Sequence, residues 1–392
     1  MSIHRLRDLF LSVQEVQEWD LAALLSGRQE VAHRRCIKAT SPWFEGEREI
    51  AACELHVLMS FPAEGETLQA APPEEFDQDV LASLLERGLL VRAKAEQTAD
   101  PEEAKSSVMW HATAALAHRQ LRWRGIDVEA VLRTIQSEGG AADLLPRLGV
   151  PPDPSLQRLD AISPPLSLPG RQNARWSSHS ARSTCRNFDA SRNLPLDLFA
   201  QMLHTVYGAQ GQSVVSGVPV LKKNSPSAGG LHPVEAYLLV QHVEGVAPGL
   251  YHYRPDTHAL EPLRSLSPDE AREYASLFVA RQPWFVDAHV QVVLAARFQR
   301  NFWKYRNHAK AYRAVILDAG HLSQMQYLAA TELGLGAFIT AAVNEGDIED
   351  AFGLDPMQEG VIAVTGFGWR GERMEVLEFD PLKQVWPDWS PE

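Results

Sequence analysis

Ser225-Pro226-Ser227-Ala228-Gly229-Gly230-Leu231-His232-Pro233 packs two prolines, two glycines and two hydroxyls into nine residues. Gly229 and Gly230 have access to backbone angles closed to other residues and let a flat ligand approach the main chain. Pro226 and Pro233 fix φ at two points and stiffen the loop. An extended apolar run, Ala236-Tyr-Leu-Leu-Val240, follows directly. A rigid loop of small residues feeding a core strand suits a shelf for a flat ligand, although a plain tight turn has a similar composition.

Around this loop the pattern alternates from about residue 175 to the end. A helix is expected at Leu196–Tyr207 and a strand at Ala236–His242. A hairpin fits Gly249–Tyr253 and His258–Leu263 about a turn at Pro255-Asp256. Ser267 caps a short helix with Glu270 three residues on. Val290–Phe298 reads as a strand, and Ala311–Leu333 as a long, largely apolar helix ended by Gly334. Ala337–Val343 is the next strand, Asn344 caps a further helix, and Val361–Phe367 is the last strand. Strands mixed with helices, one helix apolar nearly all round, imply an α+β sandwich with a buried central helix.

The first hundred residues read as a separate block. Arg48–Met59 has helical spacing in Ile50, Leu55 and Leu58, and Gln78–Arg87 sets Val80, Leu81, Leu84 and Leu85 on one face. Gly88 stops that helix, and Leu89–Ala93 reads as a strand. Helix, helix, strand is the outline of a winged helix. Glu74, Glu75, Asp77 and Asp79 crowd the entry to the second helix, which suits its dipole and repels phosphate, so a peptide-binding or structural role is favoured. Residues 100–140 look helical, with Trp110 and Trp123 as bulky packing residues. The proline-rich stretch from about 144 to 170 reads as a surface connector. The expected division is therefore 1–100, 101–174 and 175–392.

The chain has 392 residues, an apolar fraction of 45% and a net charge of -13. The length suggests two or more domains, and the charge disfavours nonspecific nucleic-acid binding. No apolar stretch reaches the length of a membrane span, and the N-terminus lacks the apolar core of a signal peptide. Cys36, Cys53 and Cys185 are too few and too far apart for a disulfide framework or a metal clamp. A reduced, cytoplasmic protein is expected.

Four further clusters carry chemistry. Arg182-Ser183-Thr184-Cys185-Arg186 places two guanidiniums on one face of a helical turn, with a hydroxyl beside them, which matches phosphate oxygens. A solvated basic turn would look the same. Lys304-Tyr305 offers a proton acceptor and a donor side by side, provided burial lowers the lysine pKa; an exposed lysine beside a packed aromatic is the bland alternative. Gly334-Leu335-Gly336 joins the long helix to a strand, where freed N–H groups can face a ligand or simply close the helix. Gly366–Arg370 ends the last strand with a guanidinium, so Arg182, Arg186 and Arg370 can converge on one phosphate. His321 is read as a packed histidine, and no metal site is expected.

Taken together, Arg182–Arg186, Pro226–Pro233, Pro248–Tyr253, Lys304-Tyr305, Leu317–His321 and Gly334–Gly336 resemble the nitroreductase-like flavoprotein superfamily. Within it, the pattern is similar to the SagB-like azoline dehydrogenases of peptide maturation. The resemblance covers roughly residues 175–370. It implies a homodimer with FMN between the subunits. Arg182, Ser183 and Arg186 would hold the flavin phosphate and pyrimidine edge, with Arg370 assisting. Pro226, Ser227, Ala228 and Gly229 would line the flavin, and the backbone at Gly334 and Gly336 would face its ring. Lys304 and Tyr305 would be catalytic. The partners implied are a ribosomally made precursor peptide and cyclodehydratase-type proteins.

Oxidising an azoline to an azole removes one hydride, which the flavin would take, and one proton, which a base must take. Two departures bear on the substrate. Arg306-Asn-His-Ala stands where a glycine-bearing turn is expected, and the proline-rich connector is long. An NAD(P)H-dependent reductase of the same fold, acting on a nitro or dehydroamino-acid substrate, is the alternative within the fold. A non-catalytic peptide-binding scaffold is the alternative outside enzymes.

Overall fold

The computed structural model describes residues 3–19, 31–63, 75–92, 109–137, 177–215 and 217–390. It divides into two compact units: Met1–Arg122 with Phe302–Ala311, and Trp123–Asn301 with Tyr312–Glu392.

The first unit runs β1 (Ile3–Arg5), β2 (Phe10–Trp19), β3 (Val31–Thr40), β4 (Arg48–Ile50), α1 (Ala52–Met59), α2 (Gln78–Glu86), β5 (Leu90–Arg92) and α3 (Ala112–Gln120). β1 pairs antiparallel with β5, and β2, β3 and β4 form a second antiparallel sheet. Leu58, Phe61, Leu84 and Leu89 are buried at the centre of its core.

The helix expected over Arg48–Met59 is shorter. Ile50 pairs across from Ile37 and is buried, which keeps Arg48–Ile50 extended. The helix starts only where Glu54 accepts the Ala51 N–H at 2.8 Å. α2 is capped by Asp77, whose carboxylate accepts the Asp79 N–H at 2.9 Å. The order helix, helix, strand is present, but β2 and β3 form a long hairpin that the sequence reading did not contain. A winged-helix assignment therefore rests on element order alone. Glu74 lies outside the described residues, as does the proline-rich stretch. Trp110 is buried and meets Phe302 edge-on at 4.7 Å. Trp123, read as a packing residue, is instead 40% exposed. It opens the second unit, where its N–H donates to Glu345 at 2.8 Å.

The second unit carries α4 (Val128–Ser137), α5 (Ser177–Ala181), α6 (Leu196–Val206), β6 (Gly211–Val215), β7 (Val218–Lys222), β8 (Val234–Val240), β9 (Gly249–Arg254), β10 (Ala259–Ser265), α7 (Pro268–Phe278) and β11 (Val290–Arg297). After it come α8 (Phe298–Tyr305), α9 (Lys310–Glu332), β12 (Gly336–Thr340), α10 (Glu345–Phe352) and β13 (Glu359–Gly368). α8 ends, and α9 begins, in the Phe302–Ala311 part of the first unit.

Six strands form one antiparallel sheet in the order β10-β9-β8-β11-β13-β12. Every residue of β8 is buried, so both faces of the sheet's middle are covered. Helices and an antiparallel sheet in one unit make it α+β, as the alternating pattern implies. The capping box at Ser267 and Glu270 is present.

Two expectations change here. Asn344 stands at the start of α10, but its amide does not cap that helix. It bonds both main-chain groups of Ile126 and the Leu277 carbonyl instead. Secondly, α9 is not buried all round. Gln326 reaches the Gly366 carbonyl of β13 at 2.9 Å, which sets that side against the sheet. Leu317, nine residues earlier, is half a turn round. It and Ile316 are 57% and 44% exposed.

Candidate active site

The Arg182–Arg186 segment is extended, not a helical turn. Thr184 bridges Ala337 in parallel fashion, and the Cys185 N–H donates to the Ala337 carbonyl at 2.8 Å. The segment thus adds to the β12 edge of the sheet. Its side chains alternate. Ser183, Cys185 and Asn187 are buried on one side. Arg182 and Thr184 face the other, where the Arg182 guanidinium lies 5.3 Å from the Tyr327 ring and Thr184 Oγ1 is 3.0 Å from the Tyr327 hydroxyl. Arg186 shares that side because period 2, like one helical turn, returns i+4 to the face of i. Among the described residues neither Arg182 nor Arg186 is ion-paired. Burial pushes the Cys185 thiol up to about 12, which makes it an inert packing group.

The same bridge brings Gly334–Gly336 beside this strand. A Cβ on Gly336 would lie 2.5 Å from Cys185 Sγ, so the thiol fills the space that a side chain would take. Gly334 has φ +70, and a Cβ there would meet nothing within 4 Å. Its N–H, like that of Leu335, is spent on the last carbonyls of α9. The helix-closing reading of this junction is therefore the one observed. What Gly334 leaves open is a bare flank of backbone.

Arg370 joins this cluster differently from the sequence expectation. Its Nη2 donates to Ser183 Oγ at 3.1 Å, while Nη1 is paired with the buried Glu378 carboxylate. Its charge is therefore met within the protein. Glu378 and Asn187 were missed by sequence reasoning because nothing local marks them.

The Ser225–Pro233 loop has the conformation its glycines suggest, with φ +64 at Gly229 and +67 at Gly230. Ser227 Oγ donates to Asp318 of α9 and accepts the His232 N–H, and Ala228 N–H donates to Asp318 Oδ1 at 3.1 Å. His321, expected to be packed, is exposed. Its Nδ1 sits 3.2 Å from the Pro226 carbonyl and must carry the proton there. Arg300 Nε donates to the Leu231 carbonyl at 3.0 Å. His232 also has positive φ, +46, an uncommon state for a non-glycine residue. Burial, with Lys223, Arg300 and Lys222 nearby, pulls its imidazole down to about 4. Burial also raises the Asp318 carboxyl.

One helix thus organises both groups. α9 holds Pro226–Ala228 at Asp318 and meets Arg182 and Thr184 at Tyr327, nine residues and about 13 Å further along its axis.

Lys304 and Tyr305 belong to the first unit. Lys304 is exposed, and its Nζ lies 5.5 Å from the centre of the Tyr305 ring. Among the described residues nothing buries its side chain, which was the condition set for a role as proton acceptor. Asn307, in the segment that departs from a glycine-bearing turn, takes φ +51. Asparagine, the commonest non-glycine in that region, does here what glycine would do. Among the described residues no three His, Cys, Asp or Glu side chains are placed to hold a metal ion. No described helix is long and apolar enough to cross a membrane.

The chain is similar to known proteins over this part of its length. The sequence model of the nitroreductase family matches residues 180–369. MJ1384 of Methanocaldococcus jannaschii, a protein named as a nitroreductase, is 32% identical over 40% of this chain and 74% of its own length. The trifolitoxin-processing protein TfxB of Rhizobium leguminosarum bv. trifolii is 33% identical over 36% of this chain. The microcin B17-processing protein McbC of Escherichia coli is 27% identical over 38% of it. The matches span 38% of TfxB and 54% of McbC. A chain of the E. coli microcin synthetase McbBCD complex, solved with truncated pro-MccB17 bound, shares the fold at 21% identity. The TM-score is 0.51, covering 71% of this chain and 100% of that one. With a relative named as a nitroreductase that is 32% identical over 74% of its length, and a family model that matches residues 180–369, this chain belongs to the nitroreductase family.

Proposed function

We propose that this protein is an FMN-dependent dehydrogenase of peptide maturation, which oxidises an azoline or related group in a ribosomally made precursor. The observation that carries the reading is the Arg182–Arg186 strand. It holds two guanidiniums, without ion pairs among the described residues, on one side of a strand that bridges to Ala337, just past the glycine junction with its open flank at Gly334. Arginine forks suit a phosphate, and bare backbone suits a flat ring. The residues present therefore fit FMN. Arg182 and Arg186 would hold it, and Ser183, on the buried side of the same strand, would steady them with Arg370. Gly334 and Gly336 would lie along it, and Pro226, Ser227, Ala228 and Gly229 would line it from the second copy of a homodimer.

Bound FMN would supply the acceptor for a substrate hydride. The chain's own task is the proton. Lys304, if a bound peptide or a second copy desolvates it, takes that proton, and Tyr305 orients or relays it. The processing roles named for TfxB and McbC support a peptide substrate, and the likeness to a chain of the McbBCD complex supports partner proteins, which we take to be of the cyclodehydratase kind. The N-terminal unit is then the candidate for peptide recognition, and the reaction belongs in the cytoplasm, where ribosomal precursors are made.

The test is mass spectrometry of a cyclised precursor incubated with the purified, FMN-loaded protein. A loss of two hydrogens per ring is expected, and a yellow protein that leaves every ring unoxidised would refute the dehydrogenase reading. The exposure of Lys304 favours a second reading, a reductase of the same fold that needs no lysine base. Anaerobic mixing separates the two: rapid bleaching by NAD(P)H and none by cyclised peptide selects the reductase.

A further inference from the structure

The C-terminal segment returns to the Arg182–Arg186 strand and is fastened there by two residues. Asn187 Oδ1 accepts the N–H groups of Glu375 and Val376, each at 2.8 Å, and its Nδ2 donates to the Val376 carbonyl at 2.8 Å. Glu378, whose side chain has no solvent exposure, is the second. Its Oε1 accepts the Arg186 N–H at 2.6 Å, the Asn187 N–H at 3.2 Å and Asn187 Nδ2 at 2.9 Å. Its Oε2 accepts the Trp386 indole N–H at 2.9 Å and pairs with Arg370.

A buried carboxylate is tolerated only when a cation and hydrogen-bond donors compensate it, and here both are supplied. The positions it fixes are selective. It holds Arg186 directly by its backbone, and through Arg370 it holds Ser183 Oγ on the other side of Cys185. Arg186 is one of the two guanidiniums that the flavin reading assigns to the phosphate, and Ser183 stands next to the other, Arg182, on the same strand. We infer that Glu378 is a positioning residue, which sets the Arg182–Arg186 strand in register to grip a phosphorylated flavin. The inference rests on the flavin reading above. Gripping needs donors held to a fraction of an ångström, and this carboxylate fixes the strand at Arg186 directly and at Ser183 through Arg370.

The experiment compares FMN dissociation constants, by quenching of flavin fluorescence, for the full chain and three variants at a temperature where far-UV circular dichroism shows all of them folded. Glu378→Gln turns one acceptor into a donor facing N–H groups, and at least about a tenfold weaker FMN affinity is expected. Trp386→Phe removes one donor from Oε2 without unpairing Arg370. A loss of about threefold is expected, which keeps the test decisive if Glu378→Gln does not fold. Gln384→Ala is the control. Its side-chain amide donates to the Leu382 carbonyl at 3.3 Å, an exposed contact within the C-terminal segment. FMN affinity should stay at the wild-type value.

Wild-type affinity in Glu378→Gln or in Trp386→Phe, or an equal loss in Gln384→Ala, overturns the inference. If the wild-type protein itself takes up no FMN, the flavin reading falls, and this inference falls with it.

Discussion

Cys185 and Gly336 are matched in volume. The thiol, with no solvent exposure, lies where a Gly336 side chain would have to go, 2.5 Å from the Cβ position to Sγ and 2.7 Å to Cβ. The cysteine's N–H is also fixed on the Ala337 carbonyl, so the strand cannot back away without breaking its attachment to the sheet. Close packing, rather than thiol chemistry, explains both residue types.

Gly336→Ala should therefore destabilise the second unit by about 1–3 kcal/mol, the usual range for overpacking. Cys185→Gly removes both atoms that would clash. The double variant should lose less stability than the two single losses added together. Denaturant unfolding of the four proteins measures this coupling, and strict additivity would show that the contact does not limit position 336.

Lys304→Ala should leave FMN uptake at its wild-type level, because Lys304 is not among the residues assigned to the cofactor. It should lower turnover of a cyclised peptide by about a hundredfold to ten-thousandfold, the range for a general base. Visible absorbance of the purified variant and mass spectrometry of the peptide read the two effects separately. Undiminished oxidation would remove Lys304 from the chemistry.

His232 supplies a pH dependence of stability. Its folded pKa is lowered to about 4 from an ordinary 6.5, so the unfolded chain binds its proton first. The neutral ring stabilises the fold fully above pH 6.5, and that contribution drains away as the pH falls from 6.5 towards 4. His232→Asn removes the titration and tolerates the positive φ. Between pH 7 and pH 4.5 the wild-type melting temperature should fall further than that of this variant. Equal falls would mean that His232 is not the group responsible.

What could be read from the sequence was local chemistry. The Ser267–Glu270 capping box, the strand after the Pro226–Pro233 loop and the glycine that closes α9 all depend on neighbours within a few residues. The hairpin of β6 and β7 was not legible because the β6 residues are all exposed and leave no buried alternation to see. β2 hides in the same way, with Val13 72% exposed. The spacing of Arg182 and Arg186 was legible as a shared face but not as a strand, since four residues return to one side under either period. Glu378 could not be found at all: the amide it fixes lies 192 residues away in sequence, and only the folded chain brings them together.

The outward face of α9 carries the proposal of a homodimer. Ile316 and Leu317 are exposed beside Gly320, whose missing side chain would meet nothing within 4 Å, so a second copy can approach the helix closely. Apolar side chains of this size favour burial by about 1.5–3 kcal/mol each. Leu317→Asp would oppose that burial with a charge while leaving the sheet-facing side, with Gln326 on Gly366, untouched. Sedimentation of the wild-type protein should give twice the chain mass, and the variant should shift towards the single chain. FMN affinity should fall with it, because Pro226–Gly229 are proposed to reach the flavin from the other copy. A dimer that survives Leu317→Asp would locate the interface elsewhere, and a monomer that still binds FMN at wild-type affinity would place the whole cofactor grip within one chain.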